Sequence, residues 1–333
     1  MSDHDNPGQR HLSDHGIGDH TTHDHITHID WAVLGPLLEQ GAEVQAPFFE
    51  AAAAWLRELL TDADAPEAAA TADAGPDGPR TGPRTGPRPH PVRRILDVGS
   101  GPGVTTCLLA QAFPDAEAVA VDATEALLAR TRDRAARLGL GDRVRTHLAE
   151  LPGGLDALDG ADLIWSSKAL HHVGDQRGAV AALAGHLRPG GLLAVFEGGL
   201  NPRFLPRDIG IGRPGLQSRL DAVGEEAFTE MRAALPDAVD AVEDWPAFLA
   251  DAGLRTPRTR SFLLDLPAPL SAEAREHLRA TLLRSVEVYG DRLDEDDRTT
   301  LGRLTDPDDP AGITRRPDAF LLSAQTVHTA RAQ

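Results

Sequence analysis

The chain has 333 residues and a single cysteine, Cys107. No internal disulfide can form, which suits a reducing compartment such as the cytoplasm. Long apolar stretches are missing too. No run approaches the roughly 18 residues that a membrane-spanning helix needs, so no membrane partner is expected. The polar opening, Met1 to Asp30, is not expected to act as a secretory leader. Positive charge is scarce: Lys+Arg 33 against Asp+Glu 51 leaves a formal net charge of −18. A nucleic-acid partner held through phosphates is therefore excluded, unless a local basic patch overrides the average. The one arginine-rich stretch, residues 80–94, is broken by Pro and Gly and reads as a solvated linker. Lysine is rare while Ala, Arg, Gly and Pro abound. That bias follows from a GC-rich genome and carries no chemistry. The core also lacks a recognisable spacing of metal ligands, so no metal is expected.

What is present begins with Ile95-Leu96-Asp97-Val98-Gly99-Ser100-Gly101-Pro102-Gly103. An apolar run ends in an acid and breaks into three alternate glycines. It reads as a buried strand turning into a helix over 104–112. Glycines let backbone approach a ligand, and the helix N-terminus offers free N–H groups. A dinucleotide fingerprint would need a third glycine at position 104, which is Val104. Asp97 would repel a pyrophosphate but suit a cationic amino group. A second apolar run, Ala118-Val119-Ala120-Val121, ends in Asp122, an acid placed to accept two ribose hydroxyls.

These residues resemble the class I S-adenosylmethionine-dependent methyltransferases of small-molecule or natural-product type. The resemblance covers about Arg94 to Glu197. It rests on six elements in order: the turn 97–103, Asp122 with Ala123, Ala149-Glu150-Leu151-Pro152, Ala161-Asp162-Leu163-Ile164-Trp165-Ser166, Ala169-Leu170-His171-His172-Val173, and Leu187-Arg188-Pro189-Gly190-Gly191-Leu192-Leu193. It implies an α/β fold with a Rossmann-like seven-stranded sheet and helices on both faces. It also implies N-terminal helices and a helical lid insertion. The implied cofactor is S-adenosyl-L-methionine, held by Asp97, Gly99, Gly101, Gly103, Asp122, Ala123, Glu150, Leu151 and Ser166. Which of His147, Leu148, Ala149 or Glu150 contacts the adenine stays open. Lys168, His171 and His172 follow Ser166, and one of them would face the methyl group. The candidate catalytic residues are His171 and His172, not separable here, and Glu197, which ends the fifth strand.

Six segments are expected. Residues 1–29 form a His-rich disordered tail, 30–60 a helical segment broken at Pro36 and Pro47, and 61–91 a Pro/Gly-rich linker. A cofactor-binding core at 92–199 carries strands near 94–98, 118–121, 144–148, 163–166 and 192–197, with helices near 104–112, 125–137 and 178–187. A helical lid at 200–257, together with the helices of 30–60, covers the acceptor. Residues 258–333 complete the sheet: strand 261–266, helix 273–289, and an antiparallel last strand at 320–327.

The leading function is methyl transfer to a small molecule or modified peptide, most readily at oxygen, by in-line displacement in the cytoplasm. A homodimer stays open as the assembly. A non-catalytic binding protein that kept the fold is the first alternative. An NAD-dependent oxidoreductase is the second, and Val104 and Asp97 argue against it. A nucleic-acid methyltransferase would show a basic face and a different fourth-strand exit from Trp165-Ser166-Ser167-Lys168.

Overall fold

A computed structural model describes residues 31–61 and 91–333. The expected tail and, but for its end positions, the expected linker lie outside the described residues.

The chain opens with α1 (Trp31–Val44) and α2 (Ala46–Thr61). Pro36 lies within α1, and the break falls after Val44 instead, so the expected interruption at Pro36 is corrected. Then come β1 (Arg94–Val98), α3 (Val104–Ala112), β2 (Glu117–Asp122), α4 (Glu125–Arg137), β3 (Val144–Leu148) and β4 (Ala161–Ser167). A short 3₁₀ turn, Leu170–His172, leads to α5 (Gln176–Gly185) and β5 (Leu187–Arg203). Next are α6 (Leu216–Ala233), α7 (Trp245–Asp251), β6 (Arg255–Leu266), α8 (Ala272–Tyr289), α9 (Glu295–Thr305) and β7 (Leu321–Arg331).

The seven strands make one sheet in the order β3-β2-β1-β4-β5-β7-β6. The first five are parallel; β7 runs antiparallel between β5 and β6. Side chains alternate between faces with period two. Ile95, Leu163, Trp165, Ala194 and Phe196 point to one face, where Phe48, Leu56, Cys107 and Leu109 of α2 and α3 cover them. Leu96, Val98, Ile164, Leu193 and Val195 point to the other, beneath α5 and α7. Strands covered on both sides read as near-continuous apolar runs, the signature of a buried parallel sheet. The strand order reverses between β1 and β4. Open sheets of this kind bind ligands at that crevice, outside the carboxyl ends of the strands.

A third apolar cluster caps this carboxyl edge. Phe204, Leu216, Leu220, Leu278, Leu282 and Leu301 join α6, α8 and α9 to the far end of β7. Two segment expectations change here. Residues 245–251, expected within the lid, form α7, whose Trp245, Phe248 and Leu249 bury into the sheet face. Residues 200–203, expected outside the core, extend β5 beyond a bulge at Gly198 and Gly199. Gly199 is obligatory there, since a Cβ would lie 2.3 Å from the Ala324 carbonyl oxygen. The bulge bends the strand away from the sheet and toward the cap.

Helix α2 is held by aromatic packing. The Phe48 ring is buried and stacks against Phe196, Phe262 and Phe49 at centroid distances of 4.7, 5.8 and 5.0 Å. Phe48→Ala should therefore cost about 3–5 kcal/mol in denaturant-induced unfolding. A loss below about 1 kcal/mol would show that α2 does not share the sheet's core.

Candidate active site

The turn after β1 is fixed from two sides. The N–H groups of Gly99 and Ser100 donate to the Val121 carbonyl at 2.8 and 3.0 Å. Asp122, at the end of β2, accepts from Gly101 N at 2.8 Å and from Thr124 N at 2.9 Å. Gly99, Gly101 and Gly103 all have positive φ (75°, 54° and 76°), a region L side chains seldom occupy. Their spatial needs differ. A Cβ on Gly99 would strike Ala169 Cβ at 2.2 Å, and one on Gly103 would strike Thr131 at 2.4 Å. Only Gly101 of the three faces open space. Two of the three glycines thus serve the turn's own packing, and one leaves a backbone approach for a ligand.

Asp97 lies just below the turn and is 1% exposed. Thr106, in the first turn of α3, donates its hydroxyl to the carboxylate at 2.6 Å. Burial drives the Asp97 carboxyl up to about 7; the Thr106 hydrogen bond opposes this, and the nearby Asp122 adds to it. The hydroxyls of Ser100 and Ser166 are buried without a hydrogen-bond partner among the described residues. Both lie at the crevice: Ser100 in the turn, and Ser166 opposite Val98 across the β1–β4 pairing. Ala123 and Glu150 are exposed, and Leu151 is half-buried against the α5 side of the sheet. The segment after β3 is closed by His147, whose Nε2 lies 2.8 Å from the Gly154 carbonyl oxygen.

The ends of β4 and β5 bring the candidate catalytic groups together. Glu197 is buried; one carboxylate oxygen accepts from Leu170 N at 3.0 Å, and the other lies 2.9 Å from His171 Nδ1. The structure separates the two histidines that sequence could not. His171 lines a cavity and is backed by the carboxylate. His172 does not line it. Desolvation, then the neighbouring His171, pushes its imidazole down to about 4; Glu197 opposes this and Arg232 adds to it. At neutral pH so weak a base takes up few protons. Arg232 of α6 donates to the carbonyls of His171 at 2.9 Å and Val173 at 2.6 Å, clamping this turn from above.

The cavity has a volume of about 580 Å³. Its floor includes Lys168, His171, Gly198 and Gly199; its walls include Phe204, Leu220 and Phe228. Helix α8 supplies a further wall through His277, Leu278, Thr281, Leu282 and Ser285. Residues of α1 and α2, expected to cover the acceptor, do not line it. Leu216 is buried in the cap cluster and not in the cavity wall. Sequence reasoning missed α8 as a wall because its amphipathic pattern fits any sheet-covering helix. It missed Thr106 and Arg232 because a single hydroxyl or guanidinium carries no spacing signal. Among the described residues, no group of three His, Cys, Asp or Glu side chains could hold a metal ion, and no helix is long and apolar enough to cross a membrane.

Residues 96–193 match the profile of a methyltransferase domain family. A trans-aconitate 2-methyltransferase of Variovorax paradoxus is 36% identical over 102 residues, covering 31% of this chain and 37% of that protein. An uncharacterized methyltransferase of Mycobacterium tuberculosis is 40% identical over 102 residues, covering 30% and 48%. An uncharacterized protein of Synechococcus sp. is 39% identical over 109 residues, covering 31% and 25%. The match thus spans a quarter to a half of these relatives' own length. Among solved structures, the YcgJ protein of Bacillus subtilis superposes with a TM-score of 0.43 at 19% identity, covering 73% of this chain and 93% of that one. The profile match runs from within β1 into β5, across the glycine turn, Asp122 and Ser166. Over that segment the chain carries a domain similar to those of methyltransferases.

Proposed function

We propose that this protein transfers a methyl group from S-adenosyl-L-methionine to a small molecule, at oxygen. The observation that carries this reading is the cavity of about 580 Å³ whose floor holds His171, backed by Glu197, next to the crevice between β1 and β4. The crevice fits the cofactor in three respects. Gly101 leaves a backbone face open, two buried serine hydroxyls await partners, and a buried carboxylate, Asp97, awaits a cation. Asp97 would hold the amino group, with the Ser100 and Ser166 hydroxyls beside it. Asp122 would hold the ribose, since each of its oxygens spends one lone pair on a backbone N–H and keeps another free. Ala123, Glu150 and Leu151 would border the base. The cofactor, when bound, supplies a methyl group already activated on a sulfonium sulfur.

The protein's own tasks are then few. The cap of α6 and α8 keeps water from the acceptor, and the cavity walls orient it, which supplies much of the rate. His171 takes the proton of an acceptor hydroxyl, and the Glu197 carboxylate fixes the imidazole and stabilises its cationic form. The small-molecule reading gains support from relatives named as trans-aconitate 2-methyltransferases. We also place the protein in the cytoplasm, on its single buried cysteine, and in natural-product metabolism, on the cap its fold adds to the shared core.

The decisive experiment is calorimetry with S-adenosylhomocysteine and NAD. Binding of the first and not the second is expected; the reverse would refute the reading. Asp122→Ala should weaken S-adenosylhomocysteine by roughly 2–3 kcal/mol, the range for hydrogen bonds to a charged group. An unchanged Kd would place the ribose elsewhere.

Asp97 gives a pH signature. Its folded value, about 7, lies above its ordinary value of 3.8, so the ligand-free protein holds an extra proton between these limits. This group's contribution to stability therefore falls as pH rises across that window. A bound ammonium reverses the preference and favours the carboxylate. Affinity for S-adenosylhomocysteine should then drop by up to about tenfold per pH unit below about 7, and Asp97→Asn should flatten the profile. A flat profile in the unaltered protein would exclude a direct Asp97–ammonium contact.

Phe228 and Leu220 line the cavity and not the glycine turn. Replacing either by Ala should alter acceptor turnover about tenfold or more and S-adenosylhomocysteine affinity by less than about twofold. Equal losses in the two would mean that the cap does not form the acceptor site.

A further inference from the structure

The chain contains one lysine, and it stands at this site. Of its 33 lysine and arginine residues, Lys168 alone is lysine. The two cations are not equivalent. Arginine stays charged and presents a broad planar fork, whereas lysine is a compact point charge that gives up its proton when surrounded by protein. A sequence that uses arginine at every other basic position holds its one ionisable amine on the floor of the acceptor cavity.

The backbone there is unusual as well. Lys168 has φ 50°, in the left-handed region that a long side chain seldom takes. Its N–H donates to the Phe196 carbonyl at 3.0 Å, which fixes the Cα at the strand ends. The ammonium nitrogen lies 5.4 Å from the centre of the Phe196 ring. Three titratable groups face it: Glu197 from β5, His171 from the 3₁₀ turn and His277 from α8. None forms an ion pair with it; the Glu197 oxygens are directed instead at Leu170 N and His171, one contact each. His277 is held below its ordinary value by burial and then by Lys168 itself. Lys168 is exposed to the cavity, and the protein packed around it pushes its amine down, although Glu197 pulls it back. Among the described residues, no carboxylate reaches ion-pair distance of Nζ. The acids farther along the cavity are engaged: Asp221 by Arg203, Glu225 by Asn201, and Glu243 by Gln176.

We propose that Lys168 is the counter-ion for a carboxylate on the acceptor, so that the substrate is a small organic acid. This rests on the methyl-transfer reading of the same cavity and narrows its substrate class. The acid enters as its anion and Lys168 pairs with it as the ammonium. The carboxylate supplies the partner that the fold withholds, and the apolar walls receive the rest of the molecule.

The lone lysine makes the test direct. Full-length protein grown on lysine labelled with ¹³C at Cε gives one side-chain lysine resonance. It is followed against pH alone, then with benzoate, with cinnamate, and with benzamide as the uncharged control. Calorimetry with S-adenosylhomocysteine runs on the same samples. The resonance should titrate below the ordinary lysine value of 10.5 in the free protein. Each acid should shift it saturably and raise its midpoint, and benzamide should leave it in place. By calorimetry Lys168→Met should lose about tenfold or more in benzoate affinity, while Lys168→Arg, which keeps the charge, should lose less. No response to either acid, or an equal response to benzamide, would overturn the proposal, and the labelled unaltered protein answers this even if the variants misfold. A Lys168 response without S-adenosylhomocysteine binding upholds the counter-ion role and overturns the methyl-transfer reading. Cofactor binding without a Lys168 response does the opposite.

Discussion

The turn between β1 and α3 depends on one carboxylate. Asp122 reaches from the neighbouring strand to the N–H of Gly101 and also closes its own loop at Thr124. With the Val121 carbonyl holding Gly99 and Ser100, this keeps a left-handed glycine segment at the crevice where the strand order reverses. The helix start, the buried Asp97 below it and the open face of Gly101 all take their positions from that tie. A charged hydrogen bond suits the task. It is shorter and stronger than a neutral one, and it leaves lone pairs for a ligand. The same acid thus shapes the site and remains available to it.

Helix α1 stabilises the arrangement from outside. Its Glu39 meets Arg130, Arg134 and Arg137 of α4 at 2.7, 2.8 and 3.0 Å. Burial raises the Glu39 carboxyl, but the hydrogen bonds from Arg130 and Arg134 outweigh it and hold the group below its ordinary value. On its other side Gly41 packs so close to His277 of α8 that an added Cβ would lie 2.9 Å from the ring. One helix therefore joins α4, which buttresses the glycine turn through Thr131, to α8, which walls the cavity. It adjoins the cavity wall without lining the cavity itself.

The parallel half of the fold was legible because its strands are covered on both faces. Residues 94–98, 104–112, 125–137 and 144–148 were readable to the residue, since the glycines and the acid-terminated runs mark their ends. The cap was less so. Helix α9 begins with Glu295, Asp296 and Asp297 and buries little beyond Thr300, Leu301 and Leu304, so its apolar stripe is too narrow to stand out. The Asp294 cap followed by an acidic first turn was the available signal. The extension of β5 past Gly198 was hidden because two glycines usually end a strand, whereas here they form a bulge within one. Choosing between His171 and His172 needed the position of Glu197, twenty-six residues from His171 in sequence and adjacent only through strand pairing. Lys168 was visible all along as a residue; its lack of an ion pair among the described residues was not, because that depends on where every acid in the fold ends up.

The grip of Arg232 on the backbone of His171 and Val173 has a consequence for the imidazole. The guanidinium belongs to the roof, and the carbonyls belong to the segment that carries the imidazole. Gly174, just beyond, lies so near the Pro236 carbonyl that a Cβ would sit 2.0 Å from it. Roof and imidazole segment are therefore latched as one piece, and the contact between His171 and Glu197 depends on where α6 sits.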